Sequence, residues 1–197
     1  MYLGISRHQH FILHKPYGYL SQMVNHQTRR KNKKLLGELY HFPKGTMAIG
    51  RLDETSEGLL LLTTDGKVSE AIRSKQIEKE YYVQVDGIIT EDAILKLQKG
   101  VEIGIDGGKY MTKPCKAQMI DSVDHIPMAN RHVRDARHGS LSWLSVTLTE
   151  GKFRQVRKMT AAVGFPTLRL IRTRIGDIHL ELEPGKVKEV LSLIRRE

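Results

Sequence analysis

The chain of 197 residues is long enough to form one domain, or two small ones that share a sheet, and to bury a core without disulfides. Its 32 basic and 22 acidic side chains leave a net charge of +10, which predicts a polyanionic partner, most often nucleic acid and less often an acidic membrane surface. The single cysteine, Cys115, excludes a disulfide framework, and no apolar run is long enough to span a membrane. We see no signal peptide and no phosphate-binding glycine loop, so we expect a cytoplasmic protein that does not hydrolyse nucleotides.

The first third of the sequence predicts short strands separated by polar segments. A strand over residues 10–13 precedes a turn at residues 15–18, and a flexible basic loop follows over about residues 22–34. Strands over 47–49 and 59–63 bracket a polar turn at residues 51–57. A short helix is expected at residues 67–74.

The remaining sequence mixes strands and helices without strict alternation. We expect strands at 80–85, 141–149, 167–173 and 178–182, and hairpins between residues 101 and 149 that a long polar loop interrupts at about 121–140. Helices are predicted at 90–99, capped by Thr90 and ended by Gly100, at 152–163, and at 187–194. These elements predict an α+β fold with a mixed, mainly antiparallel central sheet flanked by helices.

The polar turn between the second and third strands carries the first candidate for catalysis. Asp53 follows Arg51 by two positions, and a turn held by a rigid sheet is a good place for a catalytic group. The spacing alone is more typical of charged residues that cap strand ends. Glu54, Glu57 and Asp65 lie nearby in the sequence, which also allows a paired-carboxylate hydrolase or a divalent-metal site.

A basic segment forms the second candidate. Residues 151–175 contain seven Lys or Arg side chains and no acid, and Arg154, Arg157 and Lys158 are spaced to share one helix face. Such a face favours contacts to phosphates or to a buried acid over simple solvation. The adjacent Tyr81 and Tyr82 point to opposite sides of a strand, so one of them could stack on an unstacked RNA base.

Four segments in register resemble one enzyme family. The sequences KPYGYLS at 15–21, IGRLDETSEGLLLLTTDG at 49–66, KEYYVQV at 79–85 and EGKFRQVRKMTAAVGFPTLRLIRTRIG at 150–176 are similar to motifs of ribosomal RNA pseudouridine synthases of the RsuA type. The resemblance spans residues 10–176 and implies the pseudouridine synthase catalytic fold over 10–197, after a tail at 1–9. Because the first motif begins so early, we expect no separate N-terminal RNA-binding domain, as in the stand-alone branch of the family.

The resemblance also implies roles for individual residues. Asp53 matches the catalytic aspartate, and Arg157 matches the basic residue that pairs with it, which would keep the carboxylate ionised. Tyr81 matches the tyrosine that stacks on the target uracil, Arg51 would fill the gap left by a flipped nucleotide, and Leu170 would pack against the base. For RNA binding we expect Arg29, Arg30, Lys31, Lys33, Lys34, Lys152, Arg154, Lys158 and Arg172.

The implied reaction converts one uridine of 23S ribosomal RNA to pseudouridine within the intact strand. It requires no metal and no organic cofactor, and whether Asp53 first attacks the base or the sugar is left open. A uridine inside folded RNA must be flipped out to reach Asp53. We expect a monomer. Two other hypotheses remain: a catalytically silent RNA-binding ribosome-assembly factor, and a metal-dependent nuclease that uses Asp53, Glu54, Glu57 and Asp65.

Overall fold

The computed structural model describes residues 8–24, 32–74, 76–124, 126–129, 131–133, 137 and 139–194. Its chain divides into two compact units, Met1–Lys75 with Glu181–Glu197, and Gln76–Leu180. The residues Arg29, Arg30 and Lys31 and the tail at 1–7 lie outside the described residues. None of the helices in the described ranges combines the length and apolar character that a membrane-spanning helix requires.

The first unit is an antiparallel sheet with a small parallel strand pair. Strand β1 (His10–Lys15) lies between β13 (Val187–Val190) and β5 (Glu57–Thr63). Strand β4 (Met47–Ile49) also pairs with β5. Strand β2 pairs with β3 in parallel, ahead of a 3-10 helix at Leu36–Glu38. The elements are β1 His10–Lys15, β2 Tyr19–Leu20, β3 Lys34–Leu35, β4 Met47–Ile49, β5 Glu57–Thr63, α1 Gly66–Ser74 and β13 Val187–Val190.

Strand β5 is buried along its whole length, which explains its run of four leucines. Leu60 and Leu62 pack with Phe11 and Leu13 of β1 in one core. Because neighbouring residues of a strand face opposite sides, the fully buried Leu59 and Leu61 occupy the other face. A strand covered on both faces reads as a continuous apolar run rather than an alternation.

The second unit is a four-stranded antiparallel sheet in the order β11-β6-β10-β9, with the short β12 paired to β11. Helices α2 and α3 contribute Leu97, Val156 and Met159 to the same core as Val83 and Leu144 of the sheet. The elements are β6 Lys79–Asp86, α2 Glu91–Lys99, β7 Glu102–Ile105, β8 Gly108–Met111, β9 Lys116–Ile120, β10 Leu141–Leu148, α3 Gln155–Ala162, β11 Thr167–Ile175 and β12 Ile178–His179.

These units confirm the α+β class with mainly antiparallel strands. Helix α2 has the predicted ends: the Thr90 hydroxyl accepts a hydrogen bond from the amide of Ala93, and Gly100 follows the last turn with a φ of 97°. The predicted helix at 187–194 is wrong. Residues Val187–Val190 form β13, which pairs with β1 and occupies the backbone donors and acceptors along that edge.

Two further predicted elements are shorter than expected. Only Ile178–His179 of the segment 178–182 is strand, and α3 begins at Gln155 rather than at residue 152. Arg154 precedes α3 in the left-handed conformation, with φ 52° and ψ 33°. It therefore does not share a helix face with Arg157 and Lys158, and that part of the interpretation is wrong.

Candidate active site

Asp53 lies in the connection between β4 and β5, whose antiparallel pairing fixes both ends of the turn. Gly50 opens the turn with a φ of 73°, a left-handed conformation that favours glycine. The carbonyl of Asp53 accepts a hydrogen bond from the amide of Ser56 at 3.0 Å, which closes the turn. Leu52 is buried, Asp53 is half-buried and Arg51 is exposed, so the turn has one side toward the core and one toward solvent.

The loop after β1 braces this turn through backbone contacts. The Ser21 hydroxyl donates to the carbonyl of Leu52 at 2.7 Å and accepts from the amide of Leu52 at 3.0 Å. The amide of Gly18 donates to the carbonyl of Glu54 at 2.8 Å. Asp53 is therefore held between two residues whose main chains are both bonded to the same loop.

The bracing loop is itself anchored by a buried lysine. Lys15 is fully buried, and its ammonium donates to the carbonyl oxygens of Pro16 at 2.9 Å and Tyr19 at 2.7 Å. A buried ammonium is tolerated only where acceptors surround it. The segment KPYGYLS thus folds around its own lysine and presents Gly18 and Ser21 to the Asp53 turn.

A second basic residue reaches the turn from the segment before β3. The Lys33 ammonium lies 2.5 and 2.6 Å from the two carboxylate oxygens of Glu54. Both side chains are partly exposed, at 24% and 31%. The ion pair connects the basic segment to the residue directly after Asp53. The RNA-binding role of Lys33 stays a prediction, and the structure places it in this ion pair.

The other carboxylates near Asp53 in the sequence have local structural partners. Asp65 accepts a hydrogen bond from the amide of Lys67 at 2.8 Å at the start of α1, and Glu57 is buried at the start of β5. Among the residues that the structure describes, no three His, Cys, Asp or Glu side chains lie close enough together to hold a metal ion.

One face of the second unit's sheet gathers three more predicted residues. In the register of β6 and β11, Tyr81 lies opposite Arg172 and Val83 lies opposite Leu170. Leu170 and Arg172 are two residues apart, so all three predicted residues occupy the same face. Leu170 and Arg172 are 5% and 3% exposed, while Tyr81 is half-buried against the core that contains Leu170. The structure places the Arg172 side chain in the interior of the unit. Its RNA-binding role stays a prediction.

Two basic side chains, Lys79 and Arg172, lie close together at this face. Burial lowers the pKa of Lys79, which lies two residues before Tyr81, and the nearby charge of Arg172 lowers it further. The Lys79 ammonium donates to the carbonyl of Ile77 at 3.0 Å. The two basic side chains therefore lie near Tyr81, with Arg172 buried and Lys79 partly buried.

Helix α3 packs on the same core and carries Arg157 half-buried and Lys158 beside it. The Lys158 ammonium donates to the carbonyl of Gly104 at 2.6 Å, which ties the helix to β7. Arg157 follows Val156, whose side chain is in the core, so its position on the helix is well defined. The pairing of Arg157 with Asp53 stays a prediction.

The described part of the loop at 121–140 lies against β11. Arg169 donates from its guanidinium to the carbonyl of Pro127 at 2.9 Å, and Arg131 donates to the carbonyl of Leu168 at 2.9 Å. Arg169 is buried, with 5% of its surface exposed. These reciprocal contacts give this loop segment a defined position on the second unit.

The opposite face of β6 holds a polar cleft of about 530 Å³. Its charges are paired with one another: Arg174 lies 3.0 Å from both Glu78 and Glu80, and Lys116 lies 2.7 Å from Glu78. Hydrogen bonds from Lys116 and Arg174 hold the pKa of Glu78 below its ordinary value.

Comparisons with known proteins show which family the chain belongs to. The family model for RNA pseudouridylate synthase matches residues 9–162. Ribosomal large subunit pseudouridine synthase E of Vibrio parahaemolyticus is 44% identical over 182 residues, which cover 91% of this chain and 72% of that protein. The protein of the same name from Xanthomonas axonopodis pv. citri is 41% identical over 173 residues, which cover 86% of this chain and 87% of that protein.

A solved structure described as a pseudouridylate synthase matches with a TM-score of 0.74 and 28% identity, over 95% of this chain and 72% of that one. The chain therefore belongs to the RNA pseudouridylate synthase family. It is an RNA pseudouridine synthase, an isomerase that acts on RNA, and it has the fold that the four motifs predicted.

Sequence reasoning missed the residues that hold the Asp53 turn. Ser21 and Lys15 lie inside the first motif, and Glu54 directly follows Asp53, so their positions within the motifs were a usable signal. The contacts of Ser21 with Leu52 and of Lys33 with Glu54 join residues 31 and 21 positions apart, which no local pattern predicts.

Proposed function

We propose that this protein converts a uridine of ribosomal RNA to pseudouridine, with Asp53 as the nucleophile and the target in 23S ribosomal RNA. Curated relatives that match most of the chain are named ribosomal large subunit pseudouridine synthases. The observation that carries the role of Asp53 is its turn, which Ser21 and Gly18 brace on both sides.

A carboxylate nucleophile must be ionised and precisely placed before it can attack. The hydrogen bonds of Ser21 to Leu52 and of Gly18 to Glu54 restrict the main chain on each side of Asp53. Lys33 neutralises the neighbouring Glu54, which lowers the negative charge that Asp53 and Glu54 together present to an anionic substrate. These features fit a group that acts on RNA rather than one that merely caps a strand.

The reaction exchanges one bond to the ribose for another. The bond from N1 of uracil to C1′ breaks, the base turns, a bond forms from C5 to C1′, and the C5 proton leaves to solvent while N1 gains one. In this proposal Tyr81 stacks on the uracil and assists removal of the C5 proton. Leu170 packs against the base, and Arg157 keeps Asp53 ionised.

Access to the uridine requires that it leave the stack. Base flipping costs a few kcal/mol, which phosphate contacts can offset. Arg51 is exposed beside Asp53 and is suited to fill the gap that the flipped nucleotide leaves. The cations Lys33, Lys34, Lys152, Arg154, Lys158 and Arg172 are the described members of the proposed RNA-binding set, and we propose that the enzyme acts as a monomer.

Tritium release from ribosomal RNA tests the proposal. The substrate is 23S ribosomal RNA with uridines tritiated at C5, and the reaction is run with a chelator and no added metal. We expect release by the wild type and at least a thousandfold slower release by Asp53→Asn, because the amide is not a nucleophile of comparable strength.

The Asp53→Asn variant keeps the size of the side chain, so its RNA affinity serves as the control for folding. Equal release by the variant would refute the role of Asp53. Release from other RNA but neither from 23S ribosomal RNA nor from precursor subunits would refute the proposed substrate.

A further inference from the structure

Phe153 lies in the loop between β10 and α3, and the residue is 66% exposed. A single exposed apolar residue is ordinary on a protein surface. The loop around Phe153 is unusual because it is fixed on both sides and surrounded by cations. The aromatic ring of Phe153 is therefore exposed on an anchored loop and is accessible to a binding partner.

The loop is anchored at its start by Glu150. The carboxylate accepts hydrogen bonds from the Tyr110 hydroxyl at 2.5 Å, from the amide of Lys113 at 2.9 Å and from the side-chain amide of Gln155. Burial would raise the pKa of Glu150, but these hydrogen bonds outweigh it and hold that pKa below its ordinary value. The carboxylate thus remains charged and keeps both ends of the loop together.

The loop is anchored at its end by Gln155 and Arg154. The Gln155 side chain is buried and accepts from the amide of Lys152 at 2.9 Å. Arg154 is left-handed, with a φ of 52°, a backbone conformation that residues other than glycine rarely adopt. Strain of this kind persists where the surrounding structure enforces it and is often found at functional sites. It holds Phe153 outside the helix.

Cations lie against the aromatic rings of this surface. The Lys158 ammonium is 5.3 Å from the centre of the Phe153 ring, and the Lys152 ammonium is 4.8 Å from the centre of the Tyr110 ring. Residues 151–158 contain no acidic side chain. An exposed ring with ammonium groups beside it matches the two parts of a nucleotide, a flat base and a phosphate.

We propose that Phe153 is a stacking platform for an unpaired base of the RNA substrate, with Lys152 and Lys158 contacting the phosphates beside that base. The inference rests on the proposed action on ribosomal RNA and adds a binding site outside the set of residues assigned to the reaction. Stacking on an aromatic ring is tolerant of base identity, so this site would add affinity and orientation rather than select a sequence.

Three substitutions distinguish stacking from apolar contact. Phe153→Tyr keeps an aromatic ring, Phe153→Leu keeps apolar bulk without one, and Phe153→Ala removes both. For transcribed 23S ribosomal RNA we expect Kd to rise about tenfold for the Ala and Leu variants and to stay within about twofold for the Tyr variant. Ile88→Ala is the matched control, since Ile88 is 61% exposed in the connection between β6 and α2 of the same unit, and the Kd of this variant should be unchanged.

Melting temperature and tritium release separate this inference from its rivals. Because the Phe153 side chain is exposed, all three Phe153 variants should have the same melting temperature as the wild type. A wild-type Kd for the Phe153→Ala variant would overturn the inference. A wild-type Kd for the Phe153→Leu variant would also overturn it, because it would indicate that apolar contact, as with a protein partner, is sufficient. RNA binding is measured separately from catalysis. A wild type that binds but releases no tritium would refute the proposed reaction, while the Kd comparison would still decide the role of Phe153.

Discussion

Ser21 occupies a position at which one hydroxyl satisfies both main-chain groups of a buried residue. It donates to the carbonyl of Leu52 and accepts from its amide, and both residues are less than 10% exposed. A serine can make both bonds because its oxygen carries a donor and acceptor lone pairs. Position 53 is the next residue, so the hydroxyl controls the placement of the Asp53 main chain.

Replacing Ser21 with Ala tests this control. The change leaves the buried amide and carbonyl of Leu52 without this partner, and we expect the free energy of unfolding to fall by about 1–3 kcal/mol. Because a misplaced catalytic group slows the reaction steeply, kcat for tritium release should fall about 10- to 100-fold. The Kd for RNA should change by less than about twofold.

Ser122→Ala is the control for the Ser21 variant. Ser122 is exposed and its hydroxyl donates to Asp124. This control should leave stability and kcat near the wild-type values. A Ser21→Ala enzyme with wild-type kcat would show that the clamp on Leu52 does not position Asp53.

At the scale of elements, the sequence predicts both ends of helix α2 but not the start of helix α3. Thr90 and Gly100 are standard signals for a helix start and stop, and both act as expected. The pattern before α3 also resembles a helix start. There the buried Gln155 side chain bonds back to Lys152 and Glu150 and keeps residues 152–154 out of the helix.

Gly100 has a second requirement besides its positive φ. A Cβ atom there would lie 2.2 Å from the carbonyl oxygen of Thr112, which is main chain and cannot move aside cheaply. Gly100→Ala should therefore lower the free energy of unfolding by about 3 kcal/mol or more, measured by urea denaturation.

Gly164→Ala is the matched control for Gly100→Ala. Gly164 follows α3 with a φ of 93°, and a Cβ there would have no atom within 4 Å. Its substitution carries the conformational penalty alone, about 1–2 kcal/mol. Equal losses for the two variants would indicate that the contact with Thr112 is relieved by a small backbone shift.

The final strand shows the same dependence on distant contacts. Residues 187–194 have apolar positions spaced as in a helix, but Val187–Val190 pair with β1. An unpaired strand edge presents a row of backbone donors and acceptors, and pairing β13 with β1 satisfies one such row. Local spacing carries no information about the edge that the chain meets on its return.

For the whole molecule the net charge of +10 has a measurable consequence. Binding to RNA releases counterions, so the affinity should fall steeply as salt rises. For four or more phosphate contacts we expect Kd to increase at least about fiftyfold between 50 and 200 mM salt, measured by filter binding with 23S ribosomal RNA. This salt dependence of Kd arises from the charged contacts to phosphates and not from stacking on aromatic rings.

Phe153→Ala and a double variant at Lys152 and Lys158 give two checks on this salt dependence. Phe153→Ala should weaken binding at every salt concentration by a similar factor, because it removes no charge. Lys152→Gln combined with Lys158→Gln should reduce the slope of log Kd against log salt. An unchanged slope for that double variant would mean that these lysines do not contact phosphates.

The sequence by itself determined the family, the α+β class and the position of Asp53 in a turn between two strands, because motifs, strand alternation and helix caps are properties of neighbouring residues. Only the tertiary structure decided that Ser21 clamps Leu52, that Lys33 pairs with Glu54 and that Val187–Val190 form a strand. The tertiary structure also decided that Arg154 has a left-handed backbone conformation and that Phe153 is exposed. Each of these depends on hydrogen bonds or burial among residues that the chain brings together only when it folds.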